Sequence, residues 1–279
     1  MSYLNLILDL VALMLWLNWL GLGFRQVVPY RSSLAHTLKT TTPGRPRRWP
    51  SLAGLAAVLL LRAPLYAHLG PALHWVPQLD LHLITLPFRS DLPGHMLAFS
   101  FLSFLLRLGL GYLWLLLPSL VNRGVPDTQP MQHLARLHLG RVDRWPVAAR
   151  CLLPLVIATA LWMAVHPWLV ALGLVPGGRP LQLLAEQGFV LGLTAYLSWK
   201  PLLLGLLFLH VLHSYVYLGH SPFLEFVNLT AKNVLRPLGF LPLRLGMVDF
   251  APAVGIVLVW FAAELDRRML FELFRRLPL

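Results

Sequence analysis

The chain has 279 residues, 57% of them apolar and only 12% charged, with a formal net charge of +12. A soluble domain carries about a quarter charged residues, so the apolar excess calls for lipid as its solvent. The basic residues, 20 of 23 being arginine, sit in the gaps between apolar runs with no groove-reading motif beside them. This points away from nucleic acid and towards headgroups and the positive-inside bias.

The first run, residues 4–22, has neither a basic start nor a small-residue cleavage site and reads as a retained spanning helix. Runs at 52–69 and 96–121 follow. Crossing about 30 Å of hydrocarbon takes roughly 20 apolar residues, and these runs have that length. Runs at 147–175, 181–218 and 251–263 complete six. The fifth is too long for one straight span and holds Trp199, Lys200 and Pro201 at its middle. Proline removes a backbone donor, so the run is either one long kinked helix, the preferred reading, or a half-helix followed by a full span. The fold class is an all-α membrane bundle of about six transmembrane helices with amphipathic interfacial helices. Residues 1–70 form a first helix pair, 94–175 a second and 181–279 a last unit.

The connections differ in charge. Arg25, Arg31, Lys39, Arg45, Arg47 and Arg48 fill the first, Arg123, Arg136, Arg141 and Arg144 the third, and Lys232, Arg236 and Arg244 the fifth. The other two hold little beyond Arg89 and Arg179. Charge bias places the three basic connections in the cytoplasm and both termini outside, in the cell (inner) membrane. Arg267, Arg268, Arg275 and Arg276, following the last run, pull the other way.

Arg47-Arg48-Trp49-Pro50 returns as Asp143-Arg144-Trp145-Pro146 and again as Asp249-Phe250-Ala251-Pro252, each before a helix opens. These outline three degenerate repeats of helix, surface segment and helix. A basic residue, Trp and Pro are also what any membrane-crossing point favours, and both readings stand.

The clearest surface segment is 221–236. Ser221 is a good N-cap and Pro222 a good first helical residue. At about 100° per residue, Phe223, Phe226, Val227, Thr230, Ala231 and Val234 share one side, and Glu225, Asn228, Lys232 and Arg236 the other. The helix either lies in the membrane interface or packs its apolar side on the bundle. Pro237 ends it, Gly246 permits a tight turn, and Asp249, just before Pro252, can accept backbone amides or an arginine fork from Arg236 or Arg244.

Phe226-Val227-Asn228-Leu229-Thr230, then Leu235-Arg236-Pro237-Leu238, then Gly246-Met247-Val248-Asp249-Phe250-Ala251-Pro252 resembles the signature of the YggT family, over residues about 210–270. Tyr215 and Tyr217 upstream are in keeping, whereas Gly239 and Phe240 stand where members often carry further basic residues. The family is associated with membrane assembly or organisation, including cytochrome complex maturation in plastids and links to bacterial cell division and osmotic stress. The resemblance implies a non-enzymatic scaffold or assembly factor whose partners are the lipid bilayer and other membrane proteins or further copies of the chain.

Charges in spans are costly and often functional, which singles out Arg62, Arg107, Glu186 and Lys200. Arg62 and Lys200 are expected to snorkel, and Arg107 to lie deepest. With Asp9 they can form buried ion pairs; lining one path, they would make a small ion or solute channel or transporter instead. Eleven histidines raise a haem-binding reading through His210 or His213, which share a helix face, with His68, His95 and His166 elsewhere. Two histidines on one helix cannot ligate both faces of one haem, so hydrogen-bonded histidines are the default and no cofactor or metal is expected. Cys151 alone makes no intramolecular disulfide. No catalytic residue is assigned and no enzyme is predicted, since nucleophile-elbow, zinc-helix and phosphate-loop motifs are missing.

Overall fold

The computed structural model describes residues 2–20, 49–125, 130–178, 180–216, 219, 221–245 and 248–277. In chain order these give α1 (Ser2–Trp19), α2 (Trp49–Ala72), the strands β1 (Gln78–Asp80) and β2 (Thr85–Pro87), and α3 (Pro93–Val121). Next come α4 (Pro130–Leu139), a 3-10 turn at Gly140–Arg144, α5 (Val147–Ala171), α6 (Leu181–Thr194), a 3-10 stretch at Ala195–Ser198 and α7 (Trp199–Tyr215). Helix α8 (Pro222–Leu235), a 3-10 turn at Arg236–Phe240, strands β3 (Arg244–Leu245) and β4 (Val248–Asp249), and α9 (Ala251–Arg276) complete the order. Strands β3 and β4 are antiparallel, pairing Arg244 with Asp249 and Leu245 with Val248.

The protein is all-α in character. Four helices, α2, α3, α5 and the continuous α6–α7 stretch, are long and apolar enough to cross a membrane, and α1 is apolar but shorter. Only 17% to 28% of their most apolar windows is buried. So much outward-facing apolar surface suits lipid and not water.

Several boundaries depart from the sequence reading. The fifth run is continuous over Leu181–Tyr215 and passes through 3-10 geometry at the four residues upstream of Trp199. Pro201 has no N–H for the Leu197 carbonyl, and the turn before it tightens to 3-10 geometry. The last run does not stop at Ala263. Glu264 pairs with Arg267 (2.9 Å) and Arg268 (3.2 Å), and Leu270 and Phe274 are buried, so the helix continues as an amphipathic one to Arg276. The four terminal arginines therefore belong to the helix and do not follow it.

Two compact units divide the chain, residues 1–79 with 87–108, and residues 80–86 with 109–279. In the first, α1 and α2 pack around Ala12, Leu55, Leu59 and Phe104. Ser100 Oγ donates to the Leu59 carbonyl at 2.8 Å, and Asn18 Nδ2 to Ser51 Oγ at 2.8 Å. In the second, α5 and α6 approach closely at Gly188 and Gly192, where a Cβ would stand 3.2 Å and 2.9 Å from the carbonyl oxygens of Thr159 and Leu155. Glycines four apart let two helix backbones meet. Thr159 Oγ1 uses the approach to donate to the Gly188 carbonyl at 3.1 Å.

Candidate functional site

The first unit holds a charged cluster among apolar helices. Arg62 on α2 is 1% exposed and its donors are spread over four acceptors. Nε donates to Tyr66 Oη (3.1 Å), Nη1 to Asp9 Oδ1 (2.8 Å), and Nη2 to Asn5 Oδ1 and more distantly to Ser103 Oγ. Tyr66 Oη donates in turn to Asn5 Oδ1 at 2.9 Å. Asn5 and Asp9, four residues apart on α1, thus meet Arg62 and Tyr66, four apart on α2, because i and i+4 share a helix face. From α3, Arg107 Nε pairs with Asp9 Oδ2. Arg62 is enclosed by its acceptors, whereas the Arg107 side chain is 37% exposed. The helical phase that aims Arg62 at Asp9 decides this.

The second unit has a polar cluster at the end of α3. Arg150 on α5, 4% exposed, donates through Nη1 to Ser119 Oγ (2.8 Å) and Asp143 Oδ1 (3.2 Å), and Ser119 Oγ donates to the same carboxylate. Arg136 on α4 lies 3.6 Å from Asp143 Oδ2. One turn away, Asn122 Nδ2 donates to Thr230 Oγ1 (2.8 Å), and Asn233 Nδ2 donates to Asn122 Oδ1 (2.8 Å). Thr230 also donates to the Phe226 carbonyl at 2.7 Å. These bonds tie the amphipathic helix α8 to α3. Arg150 and Asp143 were not among the sequence candidates; their one signal is a buried-length apolar run that contains an arginine shortly after an aspartate.

Helix α8 forms as expected. Ser221 Oγ accepts from Leu224 N at 3.2 Å, Pro222 opens it, and the α-helix ends at Leu235, before Pro237. Its predicted apolar side is only partly covered. Val227, Thr230 and Ala231 are buried, Phe226 and Val234 half-buried, and Phe223 is 48% exposed. On the predicted polar side Glu225, Lys232 and Arg236 are exposed, but Asn228 turns inward and its Oδ1 meets His210 Nδ1 at 2.8 Å. Gly255 lets α9 close against Leu235 and Leu207.

Asp249 is exposed and its Oδ1 accepts from Ala251 N at 3.0 Å, at the start of α9, where Pro252 is buried. Gly246 lies outside the described residues.

The remaining candidates are dispersed. Glu186, the sixth residue of α6, is exposed and accepts from Gln182. Lys200 stands over the Trp260 ring, 5.7 Å from its centroid. It lines, with Asp266 and mostly apolar residues such as Leu203, Val259 and Met269, a cavity of about 530 Å³ between α7 and α9. His213 Nδ1 is buried with no hydrogen-bond partner among the described residues, and these contain no grouping of three or more His, Cys, Asp or Glu able to hold a metal.

Two tryptophans clasp the break in the fifth run. Trp114 Nε1 donates to the Ser198 carbonyl (3.0 Å) and Trp199 Nε1 to the Leu113 carbonyl (2.9 Å), while Tyr196 Oη reaches the Cys151 carbonyl. A 3-10 turn leaves backbone acceptors short of partners, and indole donors supply them in an apolar setting.

No family model, no curated protein and no solved structure matches the chain.

Proposed function

We propose that this is a six-span membrane protein built of three repeats, related through its last unit to the YggT family, and acting as a non-enzymatic scaffold or assembly subunit. The carrying observation is how α8 is held. Thr230 and Asn233 bond to Asn122 of α3, and Val227 and Ala231 are fully buried, so the opposite side with Glu225 and Lys232 is fixed and outward-facing. A preorganised charged helix face spends little ordering entropy on docking, which suits a protein partner at the membrane surface. The order amphipathic helix, 3-10 turn, Asp and Pro before an apolar helix occurs at α4–α5 and again at α8–α9, which supports the repeat reading.

The test is a photoreactive side chain at Glu225 or Lys232 in native membranes, with buried Val227 as control. The scaffold reading expects covalent adducts to a small, repeatable set of proteins from the two outer positions and none from position 227. Adducts to lipid alone, together with ion flux through liposomes holding the purified protein, would reject it.

A further inference from the structure

Arg107 stands at the middle of α3, fourteen residues from both Pro93 and Val121. If the helix spans the bilayer, the guanidinium lies near mid-depth, about 15 Å from either edge of the hydrocarbon, too far for snorkelling. Its Nε meets Asp9, which Arg62 already holds from the other side. Two guanidiniums against one carboxylate leave one net positive charge. Arg62 is enclosed by its acceptors, so the surplus sits on the 37%-exposed Arg107, whose Nη groups have no acceptor among the described residues. Four N–H donors and a net charge at that depth demand an anionic acceptor.

The chain itself has none to offer at that level. Of its eleven acidic residues only Asp9 falls within α1, α2, α3, α5 or α7, and residues 21–48 contain no acidic residue at all. Asp143 is held by Arg150, Glu264 by Arg267 and Arg268, Glu186 lies near the start of α6, and Asp266 and Glu272 fall in the charged second half of α9. A second copy meets the same shortage. We propose that Arg107 is the docking point for a membrane-spanning helix of another protein that carries a carboxylate at mid-depth. The inference rests on α3 crossing the membrane and is independent of any docking on α8.

The probe is a poly-leucine helix of about 24 residues, long enough to span, with one central Glu, compared with central Gln, central Lys and all-Leu versions. Each carries an acceptor dye and is titrated by energy transfer into liposomes holding the full donor-labelled chain. The Glu helix is expected to associate about tenfold more tightly than the all-Leu helix, and the Lys helix no better than all-Leu. Arg107→Leu should abolish the preference and Arg107→Lys retain part of it. The Lys probe reads charge selectivity on the unaltered protein, so a poorly folded variant leaves the test intact. Equal binding of Glu, Lys and all-Leu helices would overturn the proposal. So would a preference that survives Arg107→Leu, or Arg107-dependent transfer between two labelled copies of the chain without any added helix.

Discussion

Asp9 is the one carboxylate that two arginines of the first unit share, and it is 1% exposed. Asp9→Asn would leave the Arg62 guanidinium enclosed without a counter-charge. Breaking a buried pair by removing one partner costs about 3–5 kcal/mol, so the variant should unfold at markedly lower temperature in detergent, followed by the loss of monodisperse protein on heating. The double change Asp9→Leu with Arg62→Met should recover much of that loss, because no buried charge then remains. Thr230→Val is a milder case. It removes the acceptor for Asn122 Nδ2 with little change of shape, and about 1–2 kcal/mol of stability should go with it, measured in the same assay. The need for partners was legible, since a charge in an apolar helix must find one. Which charge is enclosed by its partners was not. Arg62 and Arg107 look alike in sequence, and only the rotation of α2 and α3 against α1 tells them apart. Asn122 carries even less signal: it falls at the end of an apolar run, where a polar residue is ordinary.

Helix ends and breaks follow local chemistry where that chemistry is strong. Ser221 with Pro222 opens α8 and Pro201 sits just past the 3-10 break, both readable from residue type. The length of α9 was hidden because its second half mixes Arg with Leu and Phe, which resembles a chain leaving the membrane until i, i+3 and i, i+4 ion pairs hold it helical. The closest helix contact was present in the sequence as Gly188 and Gly192, but only their meeting with Leu155 and Thr159 gives the pair meaning. A leucine at position 192 would drive carbon into the Leu155 carbonyl, already 2.9 Å from a bare Cβ. Overpacking of this kind costs about 1–3 kcal/mol, so Gly192→Leu should lower resistance to unfolding by dodecyl sulfate. The same change at Gly205, where a Cβ meets nothing within 4 Å, should leave it near the parent.

How often the chain crosses the bilayer turns on the α6–α7 stretch. Its 35 residues, at 1.5 Å each, reach about 52 Å, more than one hydrocarbon core but less than two spans and the turn between them. Residues Leu181–Tyr215 run as one continuous helical stretch, and the end of its 3-10 segment is tied to a single turn of α3, Trp114 donating to the Ser198 carbonyl and Trp199 to the Leu113 carbonyl. The six-span reading proposed above counts this stretch as one crossing, which fixes a parity. On that six-span reading the connection holding α4 and the one holding α8 share one side of the membrane, and the turn after α5 has the other. With Cys151 changed to Ser, single cysteines at Arg141, Lys232 and Gly177 test this with a membrane-impermeant thiol reagent on sealed, right-side-out vesicles. The expected result is labelling at 177 alone, because the basic connections face inward under the charge bias. Labelling at 141 and 232 but not 177 would keep the parity and invert the orientation. Opposite behaviour of 141 and 232 would mean that α6 and α7 do not form a single crossing, and the six-span count would fall with it.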